Sequence, residues 1–443
     1  MTYFFETYGC QMNSAESAAL ELVLAERGWK KAPAAEDADL VLLNTCSVRR
    51  TAETRVLGRL AQYEALKKKR RPFTLVVAGC MASRLGKRLQ ADFPSLDYVM
   101  GASARSIFPG ILEAVERGGR FEQGEEEPVF SFSSSHLEEG NFRSFVPIMH
   151  GCDNFCSYCI VPFVRGRELS RDPRSIAGEI RILAEKGVRE ITLLGQNVNS
   201  YRFRGNPSGG GEGTDFPALL EKIASWIRGG PIERVRFLSA NPKDFSPRTM
   251  EVMAEHPCFC RHLHLPVQHG SNRILAAMNR RYTRESFLDL TGSLKKAMPD
   301  LSFSTDIMVG FPGETEEDLE ETLEMMDRVR FLYSYMYHYN PREGTAAFSL
   351  PGGIPEKVKR ERLSRVIALQ KRHTVELLQN RIGSRETVLI EGISRKNADE
   401  LIARTEKDET AVFPGKADCI GSFAVVELCS LSGNTFRAEL REV

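Results

Sequence analysis

Met149-His150-Gly151-Cys152-Asp153-Asn154-Phe155-Cys156-Ser157-Tyr158-Cys159-Ile160 is the stretch around which the chain is organised. Its three cysteines stand at spacings of four and three, with an aromatic residue before the last, after an apolar run. Three thiolates this close can hold three corners of an iron–sulfur cube, whose usual complement is four cysteines. No fourth cysteine lies nearby. Either a distant residue completes the site, or one iron is left open for a small molecule. A zinc site is the competing reading. It needs a fourth protein ligand, and His150 is its candidate, though not at customary knuckle spacing.

Outward from that loop the pattern alternates strand and helix. Strands are expected at 145–149, 190–194, 234–238, 262–265, 301–307 and 332–339. Helices are expected between them at 173–186, 216–228, 247–255, 283–298 and 315–328. Six such units predict a partial (β/α)6 barrel over residues 138–374, with its site in the loops at the carboxyl ends of the strands. Gly209-Gly210-Gly211 reads as a surface insertion.

Residues 1–116 alternate as well, with strands expected at 3–7, 39–43, 74–78 and 96–100. The fold class is therefore α/β, with a parallel sheet covered on both faces. Cys10, Cys46 and Cys80 each follow one of the first three strands. In a parallel sheet those loops emerge at one carboxyl edge, where such folds bind ligands, so separations of 36 and 34 residues collapse to one mouth. Gly9 and Gly79 let the backbone approach closely there. One such cysteine would read as a small core residue. Three at equivalent positions predict a shared metal site, again an incomplete cube in preference to zinc.

Residues 117–137, with Glu125-Glu126-Glu127-Pro128 and Ser133-Ser134-Ser135, read as a connector carrying one strand around 129–132. A basic helix is expected at 355–380, bearing Lys357, Lys359, Arg360, Arg362, Arg365, Lys371 and Arg372. Five short strands at 387–391, 400–405, 411–413, 423–428 and 435–440 then predict a small antiparallel β-barrel over 375–443, a form that often binds oligonucleotides.

Bulk properties set the class. A chain of 443 residues implies two or three domains. Its 42% hydrophobic and 27% charged content is that of a soluble globular protein. The net charge of +1 makes no global case for nucleic acid. No secretory signal and no apolar run of the ~20 residues that span a bilayer are visible. The expectation is a cytoplasmic protein whose ten cysteines serve metal, redox or core roles in place of disulfides.

The CxxxCxxC loop after the first strand of a six-unit barrel resembles the radical S-adenosylmethionine superfamily. The whole chain resembles its methylthiotransferases, with an N-terminal three-cysteine domain, a radical barrel and a C-terminal TRAM-like β-barrel. Within these it is most similar to the tRNA-type MiaB family. The resemblance rests on Glu6-Thr7-Tyr8-Gly9-Cys10-Gln11-Met12-Asn13, Asn44-Thr45-Cys46-Ser47-Val48-Arg49, Leu193-Leu194-Gly195-Gln196-Asn197-Val198-Asn199-Ser200-Tyr201 and His264-Leu265-Pro266-Val267-Gln268. It also rests on Asp306-Ile307-Met308-Val309-Gly310-Phe311-Pro312-Gly313-Glu314-Thr315 and Arg342-Glu343-Gly344-Thr345-Ala346.

That resemblance implies two [4Fe–4S] clusters. Cys152, Cys156 and Cys159 hold the one whose open iron chelates S-adenosylmethionine, and Cys10, Cys46 and Cys80 hold an auxiliary cluster that carries or donates sulfur. It implies methylthiolation of C2 of N6-isopentenyladenosine at position 37 of tRNA. One S-adenosylmethionine supplies the methyl group and a second the radical that attacks an inert C–H bond. It further implies an electron donor such as flavodoxin or ferredoxin, an iron–sulfur or sulfur carrier, and a monomer off the membrane. Gln196, Asn197, Ser239, Gln268 and Asp306 fall at or near carboxyl ends of barrel strands as candidate S-adenosylmethionine contacts, with loop ordering as the alternative for each. No catalytic side chain is singled out.

Two departures stand out. The family's Ser-His-Pro is Ala240-Asn241-Pro242 here, and its Gln-Ser-Gly-Ser is Gln268-His269-Gly270-Ser271. Arg165, Arg167 and Arg171 are either an anion clamp or solvated surface. The Lys67–Arg71 run is a helix C-terminus favoured by the macrodipole, with RNA contact as its rival. Cys258 and Cys260 read as core or loop residues, Cys419 and Cys429 as core of the small barrel, and His262 and His264 as core or rim. From Arg381 onward 9 Lys+Arg face 11 Asp+Glu. Phosphate contacts are therefore expected along the basic helix, at Lys359, Arg360 and Arg362. The rivals are a sister enzyme acting on threonylcarbamoyladenosine or a ribosomal-protein aspartate, and a non-catalytic iron–sulfur or zinc RNA-binding protein.

Overall fold

The computed structural model describes residues 1–47, 50–69, 73–122, 132, 141–205 and 213–442. Val48-Arg49, Arg70-Arg71, the acidic and serine runs of the connector, most of its expected strand and the Gly209-Gly210-Gly211 insertion lie outside those residues. The chain forms two compact units. One comprises Met1–Leu137, Met149–Asp153 and Cys159–Arg171, and the other Glu138–Ile148, Asn154–Tyr158 and Asp172–Val443.

The first unit is built on strands β1 (Thr2–Thr7), β2 (Lys30–Lys31), β3 (Leu40–Thr45), β4 (Thr74–Gly79) and β5 (Tyr98–Gly101). They form one parallel sheet in the order β2-β1-β3-β4-β5. The two-residue β2 is too short to leave a periodic signal, which is why the sequence did not predict it. Every residue of the central β3 is buried, because alternate side chains serve opposite faces. Val41 and Leu43 pack with Val56 and Leu60 of helix α2 (Arg50–Lys69) and Met81 and Leu89 of α3 (Cys80–Asp92). Leu40 and Leu42 pack with Leu20 and Leu24 of α1 (Gln11–Glu26) and Phe108, Ile111 and Leu112 of α4 (Phe108–Glu116). Each such buried aliphatic side chain contributes about 1.5–3 kcal/mol. Short helix α5 (Val161–Arg165) completes this unit.

The second unit holds all six expected barrel strands: β6 (Arg143–Pro147), β7 (Glu190–Leu194), β8 (Arg234–Phe237), β9 (His262–His264), β10 (Ser302–Val309) and β11 (Tyr333–His338). They are parallel, in sheets ordered β8-β7-β6 and β9-β10-β11, joined by a parallel bridge between Val235 and Phe259. The chain turns into the covering helices through paired signals. Asp172, Asp215 and Ser246 cap α6 (Pro173–Glu185), α7 (Phe216–Ile227) and α8 (Pro247–Glu255), each with a proline in the first turn. After α9 (Asn272–Ala277), α10 (Arg284–Ala297) and α11 (Glu316–Val329) open with capping boxes from Thr283 and Thr315. Long helix α12 (Glu356–Gln379) follows.

The five C-terminal strands β12 (Arg385–Ile393), β13 (Glu400–Thr405), β14 (Thr410–Pro414), β15 (Phe423–Ser432) and β16 (Thr435–Glu442) close a barrel in the order β12-β13-β14-β16-β15. It is not wholly antiparallel as expected: β14 and β16 pair parallel. A ring with an odd number of strands cannot alternate direction all the way round. This barrel docks at the amino ends of the larger barrel's strands. Arg143 reaches Glu190 at 2.8 Å, Glu391 at 3.0 Å and Asp408 at 3.1 Å, while Arg236 donates to the carbonyls of Thr405 and Glu406.

Candidate functional site

The parallel order of β1, β3 and β4 brings their carboxyl ends side by side, with Cys10, Cys46 and Cys80 immediately beyond. Cys10 stands at the N-cap of α1 and Cys80 opens α3. Two glycines make the crowding possible. A Cβ on Gly9, φ 153°, would sit 2.2 Å from Asn13 Oδ1 and 2.9 Å from Cys46 Cβ. One on Gly79, φ 92°, would sit 2.5 Å from both Asn44 Oδ1 and the Thr45 carbonyl. Buried Asn13 and Asn44 lock the loops together. Asn13 Nδ2 donates to Asn44 Oδ1 at 3.1 Å and to the Thr45 carbonyl at 3.2 Å, and Asn44 Nδ2 donates to the Asn13 carbonyl at 2.9 Å. The sequence reading passed over both asparagines, although their signal was present: a buried amide belongs where a loop needs fixing, three residues after Cys10 and two before Cys46.

Burial pushes the Cys80 thiol up to about 11; the Arg165 guanidinium pulls against that, and Glu16, Cys46 and Cys10 add to it. Arg165 is buried and forks onto Glu16 at 2.6 and 3.2 Å, so it is neither solvated nor an open anion clamp. Burial alone would raise the Glu16 carboxyl, but Arg165 overrides it and holds that carboxyl below its ordinary range. Arg171 is also buried, with its guanidinium over the Phe132 ring at 5.7 Å. Arg167 is exposed and pairs with Asp153 at 3.0 Å.

The CxxxCxxC loop is shared between the units. In the first, Cys152 is buried and Cys159 half-buried. Gly151, φ 76°, carries the chain past Arg167, whose carbonyl would lie 2.0 Å from an added Cβ. In the second, Cys156 is half-buried and accepts from Arg280 Nη1 at 3.4 Å. No cysteine is in a disulfide. Among the described residues no three His, Cys, Asp or Glu side chains converge on the position of a single metal ion. A cube presents a separate iron to each thiolate and takes donors spaced more widely than one ion does. At the sheet edge, glycines that admit only hydrogen together with Cys10, Cys46 and Cys80 make a donor set that fits such a group.

The five cofactor candidates all lie in the second unit. Gln196 and Asn197 follow β7 and Ser239 follows β8. Gln268 lies beyond β9 and bridges β10: its N–H donates to the Asp306 carbonyl at 2.9 Å, and its carbonyl accepts from Met308 N at 2.8 Å. Asp306 is within β10 and not at its end, 3.6 Å from His264 Nε2. Ser239 and Gln268 are left-handed at φ 65° and 73°, a strain that concentrates at functional sites. The buried Gln196 Oε1 and Asn197 Oδ1 have no hydrogen-bond partner among the described residues. Such orphan acceptors fit a ligand that brings donors, as an amine or a ribose does.

The departures have structural accounts. The Asn241 backbone accepts from Asn199 Nδ2 at 2.7 Å and donates to Asn199 Oδ1 at 2.8 Å, and the Asn241 side chain caps the turn that follows by accepting from Lys243 N. His269 is fully buried, accepts from Ser271 N and lies 3.4 Å from Glu314. His262 and His264 are buried and hydrogen-bonded to Ser304, as core residues. Cys260 is core and Cys258 half-buried. Cys429, expected in the core of the small barrel, is exposed, because the register of β15 shifts at that residue and turns it outward. Lys67 is tied to Ser95 and Asp97, which removes it from the possible RNA contacts.

The basic-helix expectation is overturned in part. Lys359 is buried over Gly310 and bonded to Glu356, and Arg362 is buried on Glu314 at 2.9 Å. Arg365 pairs with Glu316 and Glu320. Of the three residues expected on phosphate, Arg360 alone is exposed.

Residues 146–326 match the Radical SAM superfamily, 2–101 the Uncharacterized protein family UPF0004 and 379–440 the TRAM domain. The chain is 50% identical to tRNA-2-methylthio-N(6)-dimethylallyladenosine synthase of Treponema pallidum subsp. pallidum, covering 99% of each chain. It is 43% identical to the protein of that name from Bacteroides fragilis, over 98% of this chain and 95% of the other. A solved radical S-adenosylmethionine methyltransferase from Kitasatospora setae, with cobalamin and a [4Fe–4S] cluster bound, shares the fold at a TM-score of 0.59 and 15% identity, covering 78% of this chain and 77% of that one. The fold and site are those of a radical S-adenosylmethionine enzyme of the methylthiotransferase class. Within that class, the chain belongs to the tRNA-2-methylthio-N(6)-dimethylallyladenosine synthase family.

Proposed function

We infer that the chain catalyses methylthiolation of C2 of N6-isopentenyladenosine at position 37 of tRNA, the reaction of the family to which it belongs. The observation that carries this is the pair of three-cysteine sets, one at a sheet edge and one in the first barrel loop, in a chain aligned end to end with relatives of that name. Two [4Fe–4S] clusters and S-adenosylmethionine, when bound, supply the electron, radical, sulfur and methyl chemistry that an inert adenine C–H bond demands. Cys152, Cys156 and Cys159 would hold one cluster, and Cys10, Cys46 and Cys80 the auxiliary one. Gly9 and Gly79 keep room at the auxiliary site, and Asn13 with Asn44 fixes the loops that present its thiolates. Gln196, Asn197, Ser239, Gln268 and Asp306 would orient the cofactor from the rim of the barrel.

The labour divides along 1–116, 138–374 and 375–443, with 117–137 as connector. The partners are tRNA, a low-potential electron donor such as flavodoxin or ferredoxin, and a sulfur or iron–sulfur carrier, and the protein works as a cytoplasmic monomer. Among the described residues no helix is long and apolar enough to cross a membrane. Mass spectrometry of tRNA nucleosides tests the function: a strain lacking this chain should accumulate isopentenyladenosine without its methylthio derivative. Normal levels of the derivative there would refute the assignment.

A further inference from the structure

Strained backbone gathers around one cysteine. Among the described residues seven non-glycine positions have positive φ, and four of them, Phe155, Gln268, Asn279 and Arg281, lie in the segments that meet at Cys156. A left-handed residue is strained, asparagine less than the others, and persists only where its surroundings impose it. Here the surroundings are explicit. Asn279 Nδ2 donates to the Phe155 carbonyl at 2.9 Å, Ser157 N donates to the Met278 carbonyl at 3.0 Å, and Ser157 Oγ donates to the Ala277 carbonyl at 2.8 Å. The turn after α9 is a cradle for the middle of the cysteine loop.

At the centre of that cradle is Arg280, 7% exposed. Every arm of its guanidinium is committed. Nη1 donates to Cys156 Sγ at 3.4 Å, Nε to the Tyr282 hydroxyl at 2.8 Å, and Nη2 to the Pro266 carbonyl at 2.9 Å. The Tyr282 hydroxyl in turn donates to the Val267 carbonyl at 2.7 Å. Pro266 and Val267 lead directly into Gln268, so one buried cation joins the cysteine loop to the rim segment that carries a cofactor candidate. A buried cation is retained only where an opposite charge answers it, and among these partners only Cys156, as a cluster ligand, would supply one.

We propose that Arg280 is a positioning and charge-compensating residue of the Cys152/Cys156/Cys159 cluster, holding Cys156 in place and raising the cluster's reduction potential. The inference rests on the radical S-adenosylmethionine reading and goes beyond it. A cluster that accepts one electron from a one-electron donor gains one negative charge, and a fixed cation hydrogen-bonded to its ligand sulfur favours that state. Lysine at this position keeps the charge without the fork, whereas glutamine keeps a donor without the charge.

The test is a redox titration of the reconstituted full-length chain, followed by electron paramagnetic resonance. Cys10, Cys46 and Cys80 are replaced by alanine so that one cluster reports, and Arg280 is compared with Arg280→Lys and Arg280→Gln. Arg280→Gln should lower the reduced-to-oxidised ratio at fixed potential about tenfold, equivalent to about 59 mV for one electron, and Arg280→Lys should restore it to within about threefold. An unshifted potential in Arg280→Gln, or an equal fall in both variants, would overturn the proposal. If Arg280→Gln loads no iron, Tyr282→Phe decides, because it removes the hydroxyl that orients the guanidinium while keeping the ring: a fall in the ratio supports the role and no change refutes it. A parent chain that binds no cluster would overturn the radical reading itself, an outcome distinct from a loaded parent with an unshifted variant.

Discussion

At the residue scale the deciding feature is how few charges are buried without a reason. Glu16 and Arg165 are both 3% exposed and bond through two oxygens and two nitrogens. Removing one partner leaves the other charged in a dry environment, which costs about 3–5 kcal/mol. Glu16→Gln should therefore lower the unfolding free energy by about that much in anaerobic urea titrations. A loss below about 1 kcal/mol would mean that Arg165 finds another acceptor. The cysteines predict differently. Replacing Cys10, Cys46 and Cys80 together, or Cys152, Cys156 and Cys159 together, should each remove about half of the bound iron, since each set ligates one of two like clusters. Iron falling to zero in either variant would mean the sites are not independent.

At the element scale the helices α11 and α12 show how composition misleads. The basic stripe of α12 suggested phosphate contacts, yet Arg362 is turned onto Glu314 and Lys359 lies over Gly310. Arg362→Met leaves Glu314 buried without its cation and should cost about 3–5 kcal/mol, while the salt dependence of tRNA binding stays unchanged, because no phosphate contact is lost. A reduced salt slope would restore the original expectation. At the start of α11, burial alone would raise the Asp318 carboxyl. Hydrogen bonds from Ser271, the Thr315 backbone and Arg273 outweigh it and hold that carboxyl at about 2. Its folded pKa lies below the unfolded value of about 3.9, so the stabilisation is fully present above that value and is lost as pH falls towards 2. Asp318→Asn should cost on the order of 1 kcal/mol at pH 7, with the gap to wild type closing between about pH 4 and pH 2. A gap independent of pH would show that the cap acts without its charge.

At the scale of the second unit, the small barrel is a structural neighbour of the larger one, joined at the amino ends of its strands. Glu190 is wholly buried among Arg143, Arg234 and Arg236, and the last two also donate to backbone carbonyls of the small barrel. Leu332, which precedes β11, belongs to the core of the small barrel. Deleting residues 381–443 would expose that core edge and strip two arginines of their carbonyl acceptors, leaving them Glu190 alone. The truncated chain should be recovered mainly as aggregate, measured by size-exclusion chromatography. A monodisperse truncated chain with intact cluster loading would show that the larger barrel stands without its neighbour.

Sequence alone determined the α/β alternation, the six barrel strands, the five strands of the small barrel and the placing of Cys10, Cys46 and Cys80 beyond three strand ends, because each is written in local spacing: periods of two and 3.6, turn residues and intervals between thiols. It missed β2, which is too short to have a period, and the parallel pair in the small barrel, which follows from ring closure. Only the tertiary structure decided which charged residues are exposed. Arg165, Lys359 and Arg362 look like surface cations in one dimension and are buried pairs in three, because a partner 48 or 149 residues away answers each of the two arginines and a glycine makes room for the lysine. The same holds for Arg280. Nothing in its neighbourhood along the chain distinguishes it, and its meaning comes from Cys156, 124 residues earlier. Pairing across such distances depends on how strands are ordered and where helices cross, which no local pattern encodes.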